Sequence, residues 1–545
     1  MPDLGRVSGE SPALEELAPG AAPVPAPTEH EQAVERAVWR SRAAWLIGAL
    51  TMVRLWVTTA TPLGNGEAYY LAWSRFPSLS YFDHPPLVAL LGSLARIGGA
   101  SRVSARLGSV LMSFLLGVLL YRLGERLFGP RAGFLALALV SALPAFVIHG
   151  YALNPEAALA PLWVLVLLEV QAMREGRSAW HAVVAGGLVG VAFLAKYTAI
   201  LLVPSTFLYL ATSPPMRPWL RRPVLYLGGL AALGAASPVI LWNATHGWAS
   251  VAYHLVERTA AGPAIDPALR AQEVLAGLAF FYSPLFLPLL LGGAWVAWRR
   301  RKDDRYRFLL AYSVPALGFF LAVLMRVAEP EHHWTMVAFL GLSLIAGALV
   351  DELYDRSSRL RTYWWGALTL SLVAFLTVNI HLHTPLVVAA IPEDDYDGRY
   401  DFGNELFAWP DVTRAVRDAA RRQDGGVVAA GSYYSICGKL LDELNDDPPV
   451  FCPGARSAFH DFGRALPPDD HAVIYLANDR YPQDPGPLLP EHACREEPGV
   501  EHRKAGRVVR RYRLWTCTPR RRVAGVERRP SGARATDGAA GRPSP

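Results

Sequence analysis

Charge is scarce in this chain. Only 18% of its 545 residues are Asp, Glu, Lys or Arg, against roughly 25% in an average soluble protein. Apolar residues make up 52%, which excludes a disordered or collagen-like chain. Cysteine is scarcer still: four residues, Cys437, Cys452, Cys494 and Cys517, all late in the chain. That excludes a scaffold built throughout on disulfides. The phosphate-cradling patterns G-x-x-x-x-G-K-[ST] and G-x-G-x-x-G are missing, so nothing points to a nucleotide substrate. Nor does the N-terminus resemble a cleaved signal peptide. The formal charge is +6, but the cations sit in short clusters between apolar runs, where they read as topology signals. Without a solvated basic domain, nucleic-acid binding is not expected.

What is present is a series of apolar runs near the roughly 20 residues of a spanning helix. About eleven are readable, near 43–61, 103–123, 131–149, 155–173, 180–195, 197–211, 223–242, 274–298, 306–325, 334–352 and 364–383. The count becomes even if 180–211 is one broken element. With the N-terminus in the cytoplasm, the strongly basic short loops all fall inside: Arg122 to Arg131, Arg174 to Arg177, Arg217 to Arg222, Arg299 to Lys302 and Arg356 to Arg361. The opposite side collects acids, histidines and aromatics, so the working face is expected to be external.

The expected organisation has four parts. Residues 1–40 form a disordered cytoplasmic tail, and residues 41–384 an all-α polytopic membrane domain with a functional external loop at 62–102. Residues 385–518 form a small α/β extracytoplasmic domain, followed by a disordered basic tail at 519–545. Helices are predicted over Asp411 to Gln423 and Tyr433 to Asn445. Strands are predicted over Gly426 to Ala430, Val450 to Cys452, Ala472 to Leu476 and Val508 to Cys517. Four cysteines in one external domain suggest an oxidising compartment and allow three pairings. The pairing expected is Cys437 with Cys452 and Cys494 with Cys517, the second joining the ends of a hairpin that turns near Gly506.

The loop Gly64-Asn-Gly-Glu67-Ala-Tyr69-Tyr70, followed by Tyr81-Phe-Asp83-His84-Pro85-Pro86-Leu87, concentrates acids and aromatics just after the first span. A carboxylate at a membrane–water boundary can have a raised pKa and act as a general base, and aromatics beside it can stack on a sugar. The same composition also suits an interfacial aromatic belt. Pro85 and Pro86 make a rigid exit into an amphipathic segment at 87–97 that would lie at the membrane surface. Elsewhere, Glu156 opens the fourth span from outside, and Lys196, beside Tyr197, is a lone cation at an external tip. Such a cation suits the phosphate of a lipid. The turn from Arg326 to Trp334 holds Glu329, Glu331, His332 and His333. Its adjacent histidines lack metal-ligand spacing, so no metal site is assigned. A divalent metal stays open, and no cofactor is certain.

The motifs Glu67-Ala-Tyr69-Tyr70 and Tyr81-Phe82-Asp83-His84-Pro85-Pro86-Leu87 resemble the bacterial branch of glycosyltransferase family 39, the protein mannosyltransferase and aminoarabinose transferase relatives. Further landmarks follow in order: Asn154-Pro155-Glu156, Ala195-Lys196-Tyr197-Thr198, Pro238 to Asn243, and His333-Trp334. The resemblance implies a GT-C-like fold and inverting transfer of a sugar from a polyprenyl-phosphate donor to a lipid, glycan or protein hydroxyl. It implies Glu67, Asp83 and Glu156 as catalytic, with Glu67 ranked ahead of Asp83 as base. Tyr69, Tyr70, His84, Lys196, Tyr197, Arg326 and His333 would bind substrate. The implied location is a bacterial inner membrane, N-terminus inside and C-terminal domain outside. The family usually begins this loop with Asp-Glu, and here the pair is Gly66-Glu67. Two other readings stand beside this one: a non-catalytic GT-C-like envelope protein, and a transporter or lipid flippase. The latter predicts inverted repeats and mid-span charges, which the sequence does not display.

Overall fold

A computed structural model describes residues 28–520, except residues 98, 100, 259–265, 328–329 and 400. Most of the two expected tails, and Glu329, lie outside the described residues. The first helix, Glu29–Ala60, starts inside the segment expected to be a disordered tail. A capping box explains the early start: the Thr28 hydroxyl accepts from Glu31 N, and the Glu31 carboxylate accepts from Thr28 N. Composition signalled the polar tail but not this cap.

Every apolar run forms helix, yet fewer than eleven are simple spans. Among the described residues seven helices are long and apolar enough to cross a membrane, or eight if one bent pair counts as a span. That pair, Pro267–Tyr282 and Leu287–Arg299, is bent by 99° and corrects the single span read at 274–298. Ser283, at φ 60°, sits in the break. The helices Pro130–Ala142, His181–Ala195 and Tyr197–Thr212 are shorter than a full span. Close helix contacts rest on small residues. A Cβ on Gly186 would lie 2.0 Å from the Gly228 carbonyl oxygen, and one on Gly124 would lie 2.6 Å from Gly133 Cα. Such contacts let apolar helices pack where lipid offers no hydrophobic drive.

Basic loops are tied together at one end of the bundle. Arg40 pairs with Glu125, Arg131 with Asp351 and Asp355, Arg174 with Asp304, and Arg300 with Glu352. This is the grouping that the charge pattern led us to expect. The predicted segment at 87–97 forms two short helices, Leu87–Gly92 and Leu94–Ile97.

The C-terminal domain is a five-stranded mixed sheet: β1 (Val427–Gly431), β2 (Val450–Phe451), β3 (Ala472–Asn478), β4 (His492–Lys504) and β5 (Arg507–Pro519), in spatial order β2-β1-β3-β5-β4. β1 runs parallel to β2 and β3, while β5 is antiparallel to both β3 and β4. The helices Trp409–Arg421 and Tyr434–Leu444 match the predicted ones within about two residues. Both expected disulfides are formed, Cys437–Cys452 and Cys494–Cys517. The domain seats directly on the 62–102 loop. Gly438 of the Tyr434–Leu444 helix lies so close to the loop helix Asn65–Trp73 that a Cβ there would be 2.5 Å from Tyr69 Cα. Asn65 also donates to Glu405 at 2.9 Å.

Candidate active site

The loop folds as it does because its acids have different partners. Glu67 lies in the first turn of the Asn65–Trp73 helix and closes back on Gly64 N at 2.8 Å. Its other contacts are Arg106 Nε at 2.7 Å, Arg106 Nη2 at 2.5 Å and Leu153 N at 3.0 Å. Arg106 is buried and spends its remaining donors on the Thr61 and Pro62 carbonyls. Burial alone would raise the Glu67 pKa, but Arg106 and the two backbone N–H groups outweigh it, and the carboxyl is held below its ordinary value. A carboxylate with both oxygens engaged by four donors is a poor proton acceptor. Glu67 is a latch. By holding Leu153 it fixes the start of the Pro155–Arg174 helix, where Asn154 caps Ala157 N at 2.9 Å and Pro155 takes the first position.

Asp83 is the contrasting acid. Its Oδ1 accepts from the Tyr69 hydroxyl at 3.1 Å, and burial raises its pKa to about 7 against that hydrogen bond. Tyr69 is placed by the C-terminal domain: its oxygen accepts from Ala458 N at 3.0 Å, and its ring lies 4.6 Å from that of Tyr434. His254 fixes the loop by donating from Nε2 to the Asp83 carbonyl at 2.8 Å. Burial lowers the His254 pKa to about 4, so the ring is neutral, and an acceptor carbonyl places its proton on Nε2. Ser250 donates to the Tyr81 carbonyl, and the Tyr197 hydroxyl bonds Ser80 at 3.2 Å.

A second cluster faces this loop. Glu156 and Lys196, both buried, form a direct ion pair. His333 Nε2 lies 3.1 Å from the same Glu156 oxygen and His333 Nδ1 lies 3.3 Å from Glu331. His149 stacks on His333 at 4.6 Å between ring centroids. Arg258 lies over the Trp334 ring at 4.6 Å, with Lys196 6.0 Å from the same ring. The two clusters share one neighbourhood: Tyr70 is within electrostatic reach of Asp83, Glu156, Arg258 and Glu331, and His84 of Lys196, His254, Glu156 and Arg258. His84 is buried and neutral, since burial first and then Lys196 push its pKa well down.

The structure therefore brings together Tyr69, Tyr70, Asp83, His84, Glu156, Lys196, Tyr197 and His333. Glu67 stands apart in its latch with Arg106. Arg326 is exposed, and the cation beside Trp334 is Arg258. Sequence reasoning missed Arg258, His254, His149 and Arg106. Arg106 was absorbed into an apolar run, where a lone arginine is itself a signal; the others carry no motif. Position 66 adds a further fact: Gly66 is exposed, and a Cβ there would meet nothing within 4 Å. Among the described residues His149, Glu156 and His333 could also hold a metal ion, their ligand atoms lying within 4.8 Å of one another. The spacing rule failed to find this group because its members come from three separate segments. Lys196 already balances Glu156 and would compete with an ion.

Chemically, the arrangement gathers a carboxyl with a pKa raised to about 7 and two cations beside the Trp334 ring into one neighbourhood. Comparisons with known proteins bear on the fold and the reaction class. Residues 83–242 match the family model described as dolichyl-phosphate-mannose-protein mannosyltransferase. The chain is 25% identical over 309 residues to the lipid A galacturonosyltransferase RgtD of Rhizobium johnstonii, an alignment covering 55% of this chain and 63% of that protein. The match thus spans less than two thirds of the relative. Crystal structures of ArnT from Cupriavidus metallidurans share the fold, each at a TM-score of 0.60. The apo form is 16% identical, with 87% of this chain and 98% of that one covered. The form bound to undecaprenyl phosphate is 15% identical, with 87% and 97% covered. The shared architecture shows a GT-C-like fold, and residues 83–242 carry the similarity to the protein mannosyltransferase family.

Proposed function

We propose that the chain is an inverting glycosyltransferase that moves a sugar from a polyprenyl-phosphate donor to a hydroxyl on a lipid, glycan or protein. The observation that carries this reading is the neighbourhood that Asp83, Glu156, Lys196 and Arg258 share around Tyr70 and His84. In an inverting transfer the acceptor oxygen attacks the anomeric carbon from the face opposite the phosphate. Asp83 removes the acceptor proton as that bond forms. A base works best when its pKa lies near the working pH. The sugar–phosphate bond breaks on the other face, and the lipid phosphate leaves with added charge. Lys196 and Arg258 stabilise that charge where it develops. Lys196 turns from Glu156 to the phosphate, and His333 keeps Glu156 from standing alone. Tyr70 and His84 line the space between for the sugar. Glu67 with Arg106, and Tyr69 with the C-terminal domain, act as positioning groups.

The names of the relatives support a lipid-linked donor and a lipid acceptor: one is a lipid A galacturonosyltransferase, the other was crystallised with undecaprenyl phosphate. We assign the site to the extracytoplasmic face of the bacterial inner membrane, because the basic loops gather at the end carrying the Arg131, Arg174 and Arg300 ion pairs. The organisation read from the sequence, a membrane domain at 41–384 carrying an external α/β domain at 385–518, belongs to the same proposal. The test is purified protein with a panel of polyprenyl-phosphate sugars and a lipid acceptor, followed by anomer-resolved product analysis. An inverted product supports the reading, and a retained anomer refutes it. The open space at Gly66 favours one second reading, a non-catalytic relative. Donor that binds but is never consumed would establish that one.

A further inference from the structure

A cavity of about 920 Å³ opens between the Glu29–Ala60, Pro130–Ala142 and Ser358–His383 helices, away from the site described above. Its volume falls within the ~300–1,000 Å³ typical of small-molecule sites. The lining is largely apolar, with Leu50 and Leu372 among it, and its charged members are all basic: Arg42, Arg54 and Arg131. Arg131 is taken up by Asp351 and Asp355. Arg42 lies against the Trp39 ring. Arg54 has no ion-pair or hydrogen-bond partner among the described residues. It sits six residues before the end of its helix, about 9 Å along the axis at 1.5 Å per residue. A cation at that depth is costly unless an anion meets it.

We infer that this groove holds an anionic phospholipid of the surrounding bilayer, its phosphate on Arg54 and an acyl chain along the apolar wall toward Arg42. Charge complementarity selects the occupant, since Arg54, deep in the groove, has no acid beside it among the described residues and the walls suit hydrocarbon. Arg42 and Arg54 are twelve residues apart on one helix, about 18 Å, which leaves length for a chain between them. The groove opens sideways: Leu372 and Met52 neighbour it with exposed side chains on the flanking helices. The occupant is distinct from the reacting lipids. The segment 149–153 stands between the two regions, with His149 stacked on His333 on one side and Tyr151 lining the groove on the other. Tyr151 in turn covers Arg106 of the Glu67 latch at 5.7 Å. Gly150 makes the approach possible, because a Cβ there would lie 3.0 Å from Arg54 Nε and 2.5 Å from the Phe146 carbonyl. A lipid in the groove therefore braces the segment that orients His149 and Leu153.

Native mass spectrometry tests this on the full chain in micelles holding equal dioleoylphosphatidylglycerol and dioleoylphosphatidylcholine. Wild type should retain one phosphatidylglycerol with about tenfold preference, the equivalent of one charge-assisted hydrogen bond. Arg54→Gln should lose the preference and Arg54→Lys keep it. Ala142→Phe, which fills the groove without touching the charge, should lose both lipids, and it carries the test should Arg54→Gln not fold. Undecaprenyl phosphate added in excess should leave the phosphatidylglycerol in place. Equal retention of the two lipids by wild type, an unchanged Arg54→Gln, or displacement by undecaprenyl phosphate would each overturn the inference.

Discussion

Replacing Asp83 by Asn separates the two things this carboxyl does. The amide keeps the shape and still accepts from the Tyr69 hydroxyl, which lies 3.1 Å from Oδ1, but it takes no proton from an acceptor. Loss of a general base lowers turnover by about 10²–10⁴-fold. In the wild type, a pKa of about 7 leaves roughly a tenth of the carboxyl ionised at pH 6 and nine tenths at pH 8. Turnover should therefore rise about tenfold across that interval, and in Asp83→Asn this limb should disappear. Stability should move the other way. The ordinary Asp value is 3.8 and the folded value about 7, so the native state binds the extra proton between them. Stability contributed by this group is full below about pH 4 and lost as pH rises towards 7, on the order of 4 kcal/mol in all. Asp83→Asn should thus unfold at higher temperature than wild type at pH 8, with the gap closing as the pH falls. Transfer assays and thermal unfolding on the same preparations read both. Turnover within threefold of wild type, or a variant no more stable at pH 8, would refute the assignment of Asp83 as a strained base.

Three further outcomes follow from the same geometry. Glu67→Gln leaves Arg106 buried without its partner and should destabilise the protein by about 3–5 kcal/mol, while the pH limb of any residual activity stays near 7; loss of that limb would return the base role to Glu67. Tyr69→Phe removes the hydrogen bond that lowers the Asp83 pKa, so the limb should move to higher pH, and an unmoved limb would deny the link from the C-terminal domain. Reducing Cys437–Cys452, which closes a separation of 15 residues, should cost about 3 kcal/mol and loosen the helix that seats Tyr69, measurable as lower turnover; full activity without that bridge would contradict the docking role.

How much of this was legible beforehand follows from where each signal resides. Apolar runs and basic loops act through composition, so the helical membrane domain and the grouping of its basic ends were readable. The cysteine pairs were readable because few residues intervene within each. The span count was not, since length and composition do not reveal a 99° break at Ser283 or that 180–211 falls into helices of less than full length. In the site, Asp83, His84, Glu156, Lys196 and His333 could be found from motifs. The pairing that sets Glu67 apart from Asp83 was not readable, because its partner, Arg106, lies on another helix. No spacing rule sees that pairing. Arg258 was invisible for the converse reason: one arginine in a polar loop looks like any other until the fold sets it over Trp334.

The account stands most directly on where a lipid phosphate binds. Cryo-electron microscopy of the full chain with undecaprenyl phosphate measures that position. The phosphorus should appear at ion-pair range, roughly 4 Å, from Lys196 Nζ and the Arg258 guanidinium, with Lys196 turned away from Glu156. Phosphate density at Arg54 or among the basic loops near Arg131 and Arg300, with the Lys196–Glu156 pair intact, would contradict it.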